Sequence, residues 1–572
     1  MRAVQIPKNR NPLYPVLTYK QFYGASSVAA DPLAEIARYH FEDILVALIM
    51  ICNDVEGRVN NSIDVNATIA ARLPPAKSAR FLQFVNRQEG AKFWLTNGTV
   101  IARIVTDLFG LLPQEGTLLP TTGTGFEEAL LDVVLIYNER QYAEIGVGGK
   151  VNTHEMLWQL MLMQDITGLN NIHYVRTANA KHVVFIQFLK VALGVAFKEM
   201  EGDFKQRTGL DGLYQPAVTL VTLFAHIEDK FRMPGNALVL IERNESIYGF
   251  LKNFGMLFSK QTAAGRKGQI GFYITHPFFD HPDGRIYLVD HAHFAFAVDR
   301  GYLYYLFKHS KLGALLKGVK SFEDFLAYLG KHYYEQYLVA GLIKTLDRKG
   351  FRVIGTDDRG LPDLTLVLNE KDVFFIETKS NALHSSVIDR MDVTGMKEFM
   401  DENFAGEKKG AGQLARYIRH YGDAGGAALQ IREPKKKLTI YPVIIYTEQH
   451  LEKYAFGDYV AEKFEGMIAD FAHPFKEIKP LVMIHYDFFV ENISLLQQRP
   501  ILLKSAINRY LAYVKDKKAI FKRTDHNMDH LKAMVSFDKY LVNYPYEQLY
   551  QLDQKVIFQQ MRRVFGLKDE GG

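Results

Sequence analysis

The sequence predicts a multidomain α+β protein, with a mostly helical N-terminal region, a core on a central mixed sheet and a helical C-terminal tail. Three observations lead there. The 572 residues correspond to about three to four domains at roughly 150 residues each. Apolar residues recur at three- and four-residue spacing through much of the first ~230 positions. Short β-favouring runs bounded by Gly, Pro and Asp set in after Asn236 and again after Gly350. The expected segments are 1–235, helical, a sensor or interaction module; 236–320, small and mixed α/β; 321–496, the core; and 497–572, a basic helical tail.

Composition narrows the class. Aromatic residues make up 13%, with 39 Phe and 31 Tyr, too many for a disordered chain. The one cysteine, Cys52, excludes intrachain disulfides, Cys-paired zinc fingers and iron–sulfur sites, and agrees with a reducing compartment. The start, Met1 to Val16, is basic without an apolar run behind it, unlike a secretory signal. Ile44 to Cys52 is short, and Val183 to Phe197 is broken by Gln187 and Lys190. Neither matches the ~20 apolar residues of a spanning helix. A cytoplasmic protein without membrane association is expected.

The net charge of +5 conceals an asymmetry. From Gln497 onward there are 14 Lys plus Arg against 8 Asp plus Glu, a net of +6, so the other 496 residues sum to about −1. Clustered charge of this kind can face phosphates, although a solvated helical tail has the same composition.

Taken in order, Leu33 to Cys52, Phe126 to Tyr142 and Val183 to Glu201 read as helices. Gly146-Val-Gly-Gly-Lys150-Val151 is not a phosphate loop. It lacks the first Gly at the required spacing, and Val151 replaces the Ser or Thr that would meet magnesium. Ala237 to Ile241, Ile270 to Thr275 and Arg285 to Val289 read as strands, and Tyr302 to His309 as a helix. Ser321 followed by Asp324 reads as a helix cap. In the helical run from Tyr333, Leu338, Val339, Leu342 and Leu346 fall within about 60° of Glu335. A carboxylate thus sits on an apolar face, where it needs a partner.

Gly350 to Ile354 reads as a strand, and Leu364 to Leu368 and Val373 to Lys379 as a hairpin about the turn Asn369 to Asp372. Alternation places Val373, Phe375, Glu377 and Lys379 on one face and Phe374, Ile376 and Thr378 on the other. A strand apolar on both faces thus ends in an acid and a base. Asp363 opens the neighbouring strand, 14 positions before Glu377. Two carboxylates converging at strand ends suit a hard divalent cation. A lysine two residues on falls beside it.

Glu335, Pro362-Asp363 and Glu377-Thr378-Lys379, in that order and on those elements, resemble the PD-(D/E)xK nuclease superfamily over about 170 residues, 321–491. The resemblance implies a restriction-endonuclease-like α/β core and a magnesium-dependent nuclease, manganese substituting, that hydrolyses phosphodiester bonds in nucleic acid, DNA favoured over RNA. It implies that Asp363 and Glu377 hold the metal with the Thr378 carbonyl, that Glu335 holds a second ion or a water, and that Lys379 positions the nucleophile. It also implies a supporting Gln on a following helix. Gln413 fits, with Arg416, Tyr417 and His420 on the same face. Strands at Leu438 to Tyr446 and Pro480 to Tyr486 would complete the sheet, and the interval containing Val387 to Phe404 adds a helix or flap.

Expected nucleic-acid contacts are Lys408 and Lys409 before a helix N-terminus, Arg416 and Arg419 on that helix, and Lys435, Lys436 and Lys437 at the next strand. A protein partner or trigger is expected to act through the N-terminal helices, as in a conditional effector of anti-phage defence, and homodimerisation is left open. The alternative is an inactive nuclease-fold protein that binds nucleic acid or serves as a scaffold. His276, His281, Asp290, His291 and His293 lie within 18 residues, and His291 and His293 would share a strand face. Their aromatic, turn-rich surroundings favour packing over metal binding.

Overall fold

The computed structural model describes residues 16–24, 31–58, 70–71, 73–87, 95–112, 118–121, 124–143, 153–164, 171–231, 238–243, 246–347, 350–355, 362–423, 429, 431–453, 455–524 and 531–567. The glycine-rich run at 146–151 lies outside them. The chain is mixed α+β, with a helical N-terminal region and two mixed sheets.

The first sheet is small, in the order β1-β4-β3-β2, from β1 (Leu240–Glu242), β2 (Leu257–Phe258), β3 (Phe278–Asp280) and β4 (Arg285–Leu288). Phe258, Phe279 and Tyr287 on it close over the N-terminal helices, sharing a core with Leu45, Ile101 and Val134.

Two expectations for this region are corrected. Ile270–Thr275 is a helix, not a strand. Its buried residues are Ile270 and Tyr273, three apart, which is helical spacing. His291–Phe296 is also a helix, N-capped by Asp290, whose side chain accepts from the His293 N–H. His291 and His293 therefore do not share a strand face. Asp and Ser at such positions compete for caps, and the β-favouring composition did not register that competition.

The second sheet runs β10-β8-β7-β6-β5, with β9 beside β8. Its strands are β5 (Phe351–Gly355), β6 (Leu364–Leu368), β7 (Asp372–Lys379), β8 (Thr439–Tyr446), β9 (Glu477–Ile478) and β10 (Val482–His485). β5, β6 and β7 form an antiparallel meander, while β8 runs parallel to both β7 and β10. Asn369 and Glu370 have φ of 51° and 58°, so the β6–β7 hairpin turns through two left-handed residues, the twist that matches paired strands.

Both faces of this sheet are covered. Phe374, Ile376, Tyr441 and Val443 join a core that extends from Val175 to Met561. Val373, Phe375, Ile440 and Ile444 pack with Leu414, Ile418 and Val460 of the helices Ala411–Asp423 and Phe456–Ile468. Each such side chain contributes about 1.5–3 kcal/mol by leaving water.

Polar bonds also cross the core. Lys181, on the helix Asn171–Leu193, is 2.5 Å from Asp299 and 3.0 Å from Asp487. Burial alone would lower the Lys181 ammonium, but the two aspartates hold it above its ordinary value. The stretch Val175–Thr208 is long and apolar enough to cross a membrane by composition, more so than the broken run suggested. Here Val184, Phe185, Ile186 and Leu189 of that stretch are core residues.

Candidate active site

Glu377 and Lys379 come to the C-terminal end of β7 because the strand alternates. Glu377 is 1% exposed, and Lys379 lies 3.0 Å from its Oε2. Thr378 projects from the other face, so only its main chain reaches this side. The Thr378 N–H donates to Asp363 Oδ2 at 2.8 Å, fixing the half-buried carboxylate that opens β6.

The Lys379 ammonium also donates to Gln413 Oε1 at 2.7 Å, and the same oxygen accepts from the Gly410 N–H at 3.0 Å. The loop before this helix must turn tightly. A Cβ at Gly412 would lie 2.1 Å from the Glu407 carbonyl, and one at Gly410 2.2 Å from that of Phe404. Only glycine fits either position.

Glu335 arrives differently than expected. It lies in a π-helical stretch, Gly330–Val339, where the Ala340 N–H donates five residues back to the Glu335 carbonyl. The wider turn alters the expected 100° geometry, yet Leu338, Val339, Leu342 and Leu346 remain buried, and Glu335 is half-buried. The stretch runs against the end of β7. A Cβ at Gly330 would fall 2.6 Å from Ser380 Oγ. Glu335 is close enough to feel the charges of Asp363 and Lys379.

Burial, reinforced by Asp363, pushes the Glu377 carboxyl up to about 7 against the pull of Lys379. Asp363 is raised by burial, opposed by the Thr378 N–H and Lys379. Glu335 is raised by burial and by Asp363. Glu377 Oε1 is buried and, among the described residues, meets no hydrogen-bond donor. A crowded set of carboxyls with an unsatisfied buried oxygen is an environment that a divalent cation would relieve.

Sequence reasoning gave no role to Tyr417, one turn beyond Gln413. Its phenol is raised by burial and then by the charges of Glu377 and Asp363. Its position on the Gln413 face was the available signal. A second group had no local signal at all. Arg300 Nη1 donates to the Thr447 carbonyl at 3.1 Å and to Glu448 Oε2 at 3.4 Å. The Thr447 N–H donates to the Lys379 carbonyl at 3.2 Å, and the Leu383 N–H to Glu448 Oε2 at 3.0 Å. The segment from Lys379 to Leu383 is thereby held at both ends by Thr447 and Glu448, which Arg300 in turn anchors. Burial raises the Glu448 carboxyl, but Arg300 and His450 outweigh it and hold it at about 2.

The expected nucleic-acid contacts separate. Lys408 and Lys409 are exposed beside the Gln413 loop. Arg416 is turned onto that loop, donating to the Glu407 and Lys408 carbonyls at 2.8 and 3.1 Å. Arg419 donates to the Met467 carbonyl and stacks on Phe471. Lys435, Lys436 and Lys437 are at the wrong end of the sheet for this site. They precede Thr439, which pairs with Asp372, whereas Lys379 pairs with Tyr446. The length of β7, about 23 Å at ~3.3 Å per residue, separates them from the carboxylates. Lys435 also donates to the Gly422 carbonyl, and Lys437 pairs with Glu433.

The histidine-rich segment does not converge. His276 bonds the Phe272 carbonyl, His281 pairs with Asp283, His291 with Glu228, and His293 lies 3.6 Å from Asp290. Compared with known proteins, the chain matches no family model, no curated protein and no solved structure.

Proposed function

We propose that this chain is a magnesium-dependent nuclease of the PD-(D/E)xK type, with a restriction-endonuclease-like core, that hydrolyses phosphodiester bonds in DNA in preference to RNA. The observation that carries the reading is the meeting of Asp363, Glu377, Lys379 and Gln413 at adjacent strand ends, with Lys379 held between Glu377 and Gln413. The mixed sheet, an antiparallel meander followed by parallel strands reached through helices, supports it.

Asp363 and Glu377 would hold the cation, with the Thr378 carbonyl beside them and Glu335 adding negative charge. The buried, unsatisfied Glu377 Oε1 fits that role. Magnesium, or manganese in its place, supplies acidity to water and neutralises charge developing on the phosphate. Lys379 orients the attacking water and offsets charge on the phosphoryl oxygens. Gln413 keeps the ammonium aimed, and Tyr417 closes the site on the helix side. Lys408 and Lys409 would meet the flanking phosphates.

The test is incubation of the full chain with linear DNA, circular DNA and RNA, with and without magnesium, beside Lys379→Ala. Magnesium-dependent cleavage lost in the variant supports the reading. Wild type indistinguishable from Lys379→Ala on every substrate overturns it, and DNA binding without cleavage would identify an inactive scaffold.

A further inference from the structure

His154, Asp458 and Glu462 converge without sharing a residue with the site above. His154 opens the helix Thr153–Gln164, and Asp458 and Glu462 stand one turn apart on Phe456–Ile468. Their ligand atoms all lie within 4.8 Å of one another. We infer that these three side chains form a separate site for a transition-metal dication of the zinc class.

The distances suit such an ion. Zinc bonds of about 2.0–2.1 Å in a tetrahedron place neighbouring ligand atoms roughly 3.3–3.4 Å apart. His154 Nε2 is 3.2 Å from Asp458 Oδ2 and 3.9 Å from Glu462 Oε2. A small rotation of the half-exposed Glu462 closes the longer edge. Imidazole with carboxylates selects zinc-like ions over magnesium, which takes oxygen ligands alone.

Lys518 does not occupy the same position. Its ammonium reaches the other two oxygens, 2.5 Å from Asp458 Oδ1 and 4.0 Å from Glu462 Oε1. It thus serves as an outer partner that orients both carboxylates and offsets their remaining charge. The imidazole is held by Tyr459 at 5.5 Å, and Trp158, stacked on Phe456 at 5.2 Å, walls the site. Metal binding would join the helix Thr153–Gln164 of the helical front to the helix Phe456–Ile468 of the core.

Titration of the full chain with zinc chloride in a non-chelating buffer, followed by calorimetry and thermal unfolding, tests this. The proteins are wild type, His154→Ala, Glu462→Gln and the double variant Asp363→Asn/Glu377→Gln. One zinc is expected to bind the double variant, in which the Asp363/Glu377 site is removed, and to raise its unfolding temperature, and wild type is expected to bind at least that one. Affinity is expected to fall at least ~30-fold in His154→Ala and Glu462→Gln, given the 10–100-fold effects of even outer-shell partners. Should His154→Ala fail to fold, the half-exposed Glu462→Gln carries the test. No zinc bound by the double variant, or binding unchanged in Glu462→Gln, overturns the inference.

Discussion

The Lys379 ammonium and the Gln413 side-chain carbonyl stand 2.7 Å apart, although 34 residues separate them in the chain. That contact joins the sheet to the helix packed on it, and it leaves Lys379 with a carboxylate on one side and a neutral oxygen on the other. The ammonium is positioned before any substrate arrives. Cleavage is therefore expected to fall by at least ~10²-fold in Lys379→Ala, the scale of losing one preorganised electrostatic group. Gln413→Ala is expected to lose roughly tenfold, since Glu377 still holds the lysine. Single-turnover rates on a DNA substrate measure both.

If Glu377 holds the proposed cation, its carboxyl, raised to about 7 from an ordinary 4.5, ties that binding to pH. Below about 7 a proton competes with the cation, so manganese affinity is expected to rise up to ~10-fold per pH unit toward 7 and then level off. In the metal-free protein the sign reverses. The folded state favours the protonated acid, so this group's stabilisation is full below 4.5 and disappears as pH rises through 7. The span corresponds to about 3 kcal/mol. Chemical denaturation of wild type against Glu377→Gln between pH 4.5 and 7.5 should show that difference.

Thr447 and Glu448 hold the two ends of the segment from Lys379 to Leu383, and Arg300 holds both of them. Arg300→Met takes the guanidinium from the buried Glu448, leaving His450 beside it, and is expected to destabilise the protein by about 3 kcal/mol. Arg300→Met/Glu448→Gln removes both charges and should regain much of that stability. It should not regain the cleavage rate, because the Thr447 carbonyl remains without its guanidinium. Melting curves read beside kcat separate the two effects.

A Cβ at Gly412 would meet the Glu407 backbone oxygen at 2.1 Å, whereas one at Gly466 would meet nothing within 4 Å. Gly412→Ala should cost about 1–3 kcal/mol and lower cleavage by moving the Gln413 loop. Gly466→Ala should be neutral or stabilising by up to ~1 kcal/mol. Denaturant midpoints and activity of the two variants provide the comparison.

Lys408 and Lys409 flank the site, while Lys435, Lys436 and Lys437 lie at the far end of β7 and β8. Replacing the first pair with alanine should reduce the slope of log affinity for duplex DNA against log salt by about 2. Replacing the triple lysine should leave that slope unchanged. Fluorescence anisotropy at several salt concentrations decides between them.

Much of the site's chemistry was legible in local patterns. Period-two alternation put Glu377 and Lys379 on one face of β7, and the interval between hairpin strands put Asp363 next to them. The helix carrying Gln413, which the resemblance implied, is Ala411–Asp423. Ser321 and Asp324 do form a reciprocal cap. Ile270–Thr275 was misread as a strand, and His291 and His293 as sharing a strand face, because short apolar runs fit either period; both segments are helices.

The sequence by itself determined which residues alternate, which turn and which carry charge, because those properties depend on neighbours within a few positions. Tertiary structure alone decided that Arg300 meets Thr447 and Glu448 beyond the end of β8, that Lys181 bridges Asp299 and Asp487, and that His154 meets Asp458 across 304 positions. It also decided that the triple lysine stands a strand's length from the carboxylates. Contacts of that kind depend on strand direction and on which helix covers which face, and those are fixed by burying the whole core at once rather than by any local run of residues.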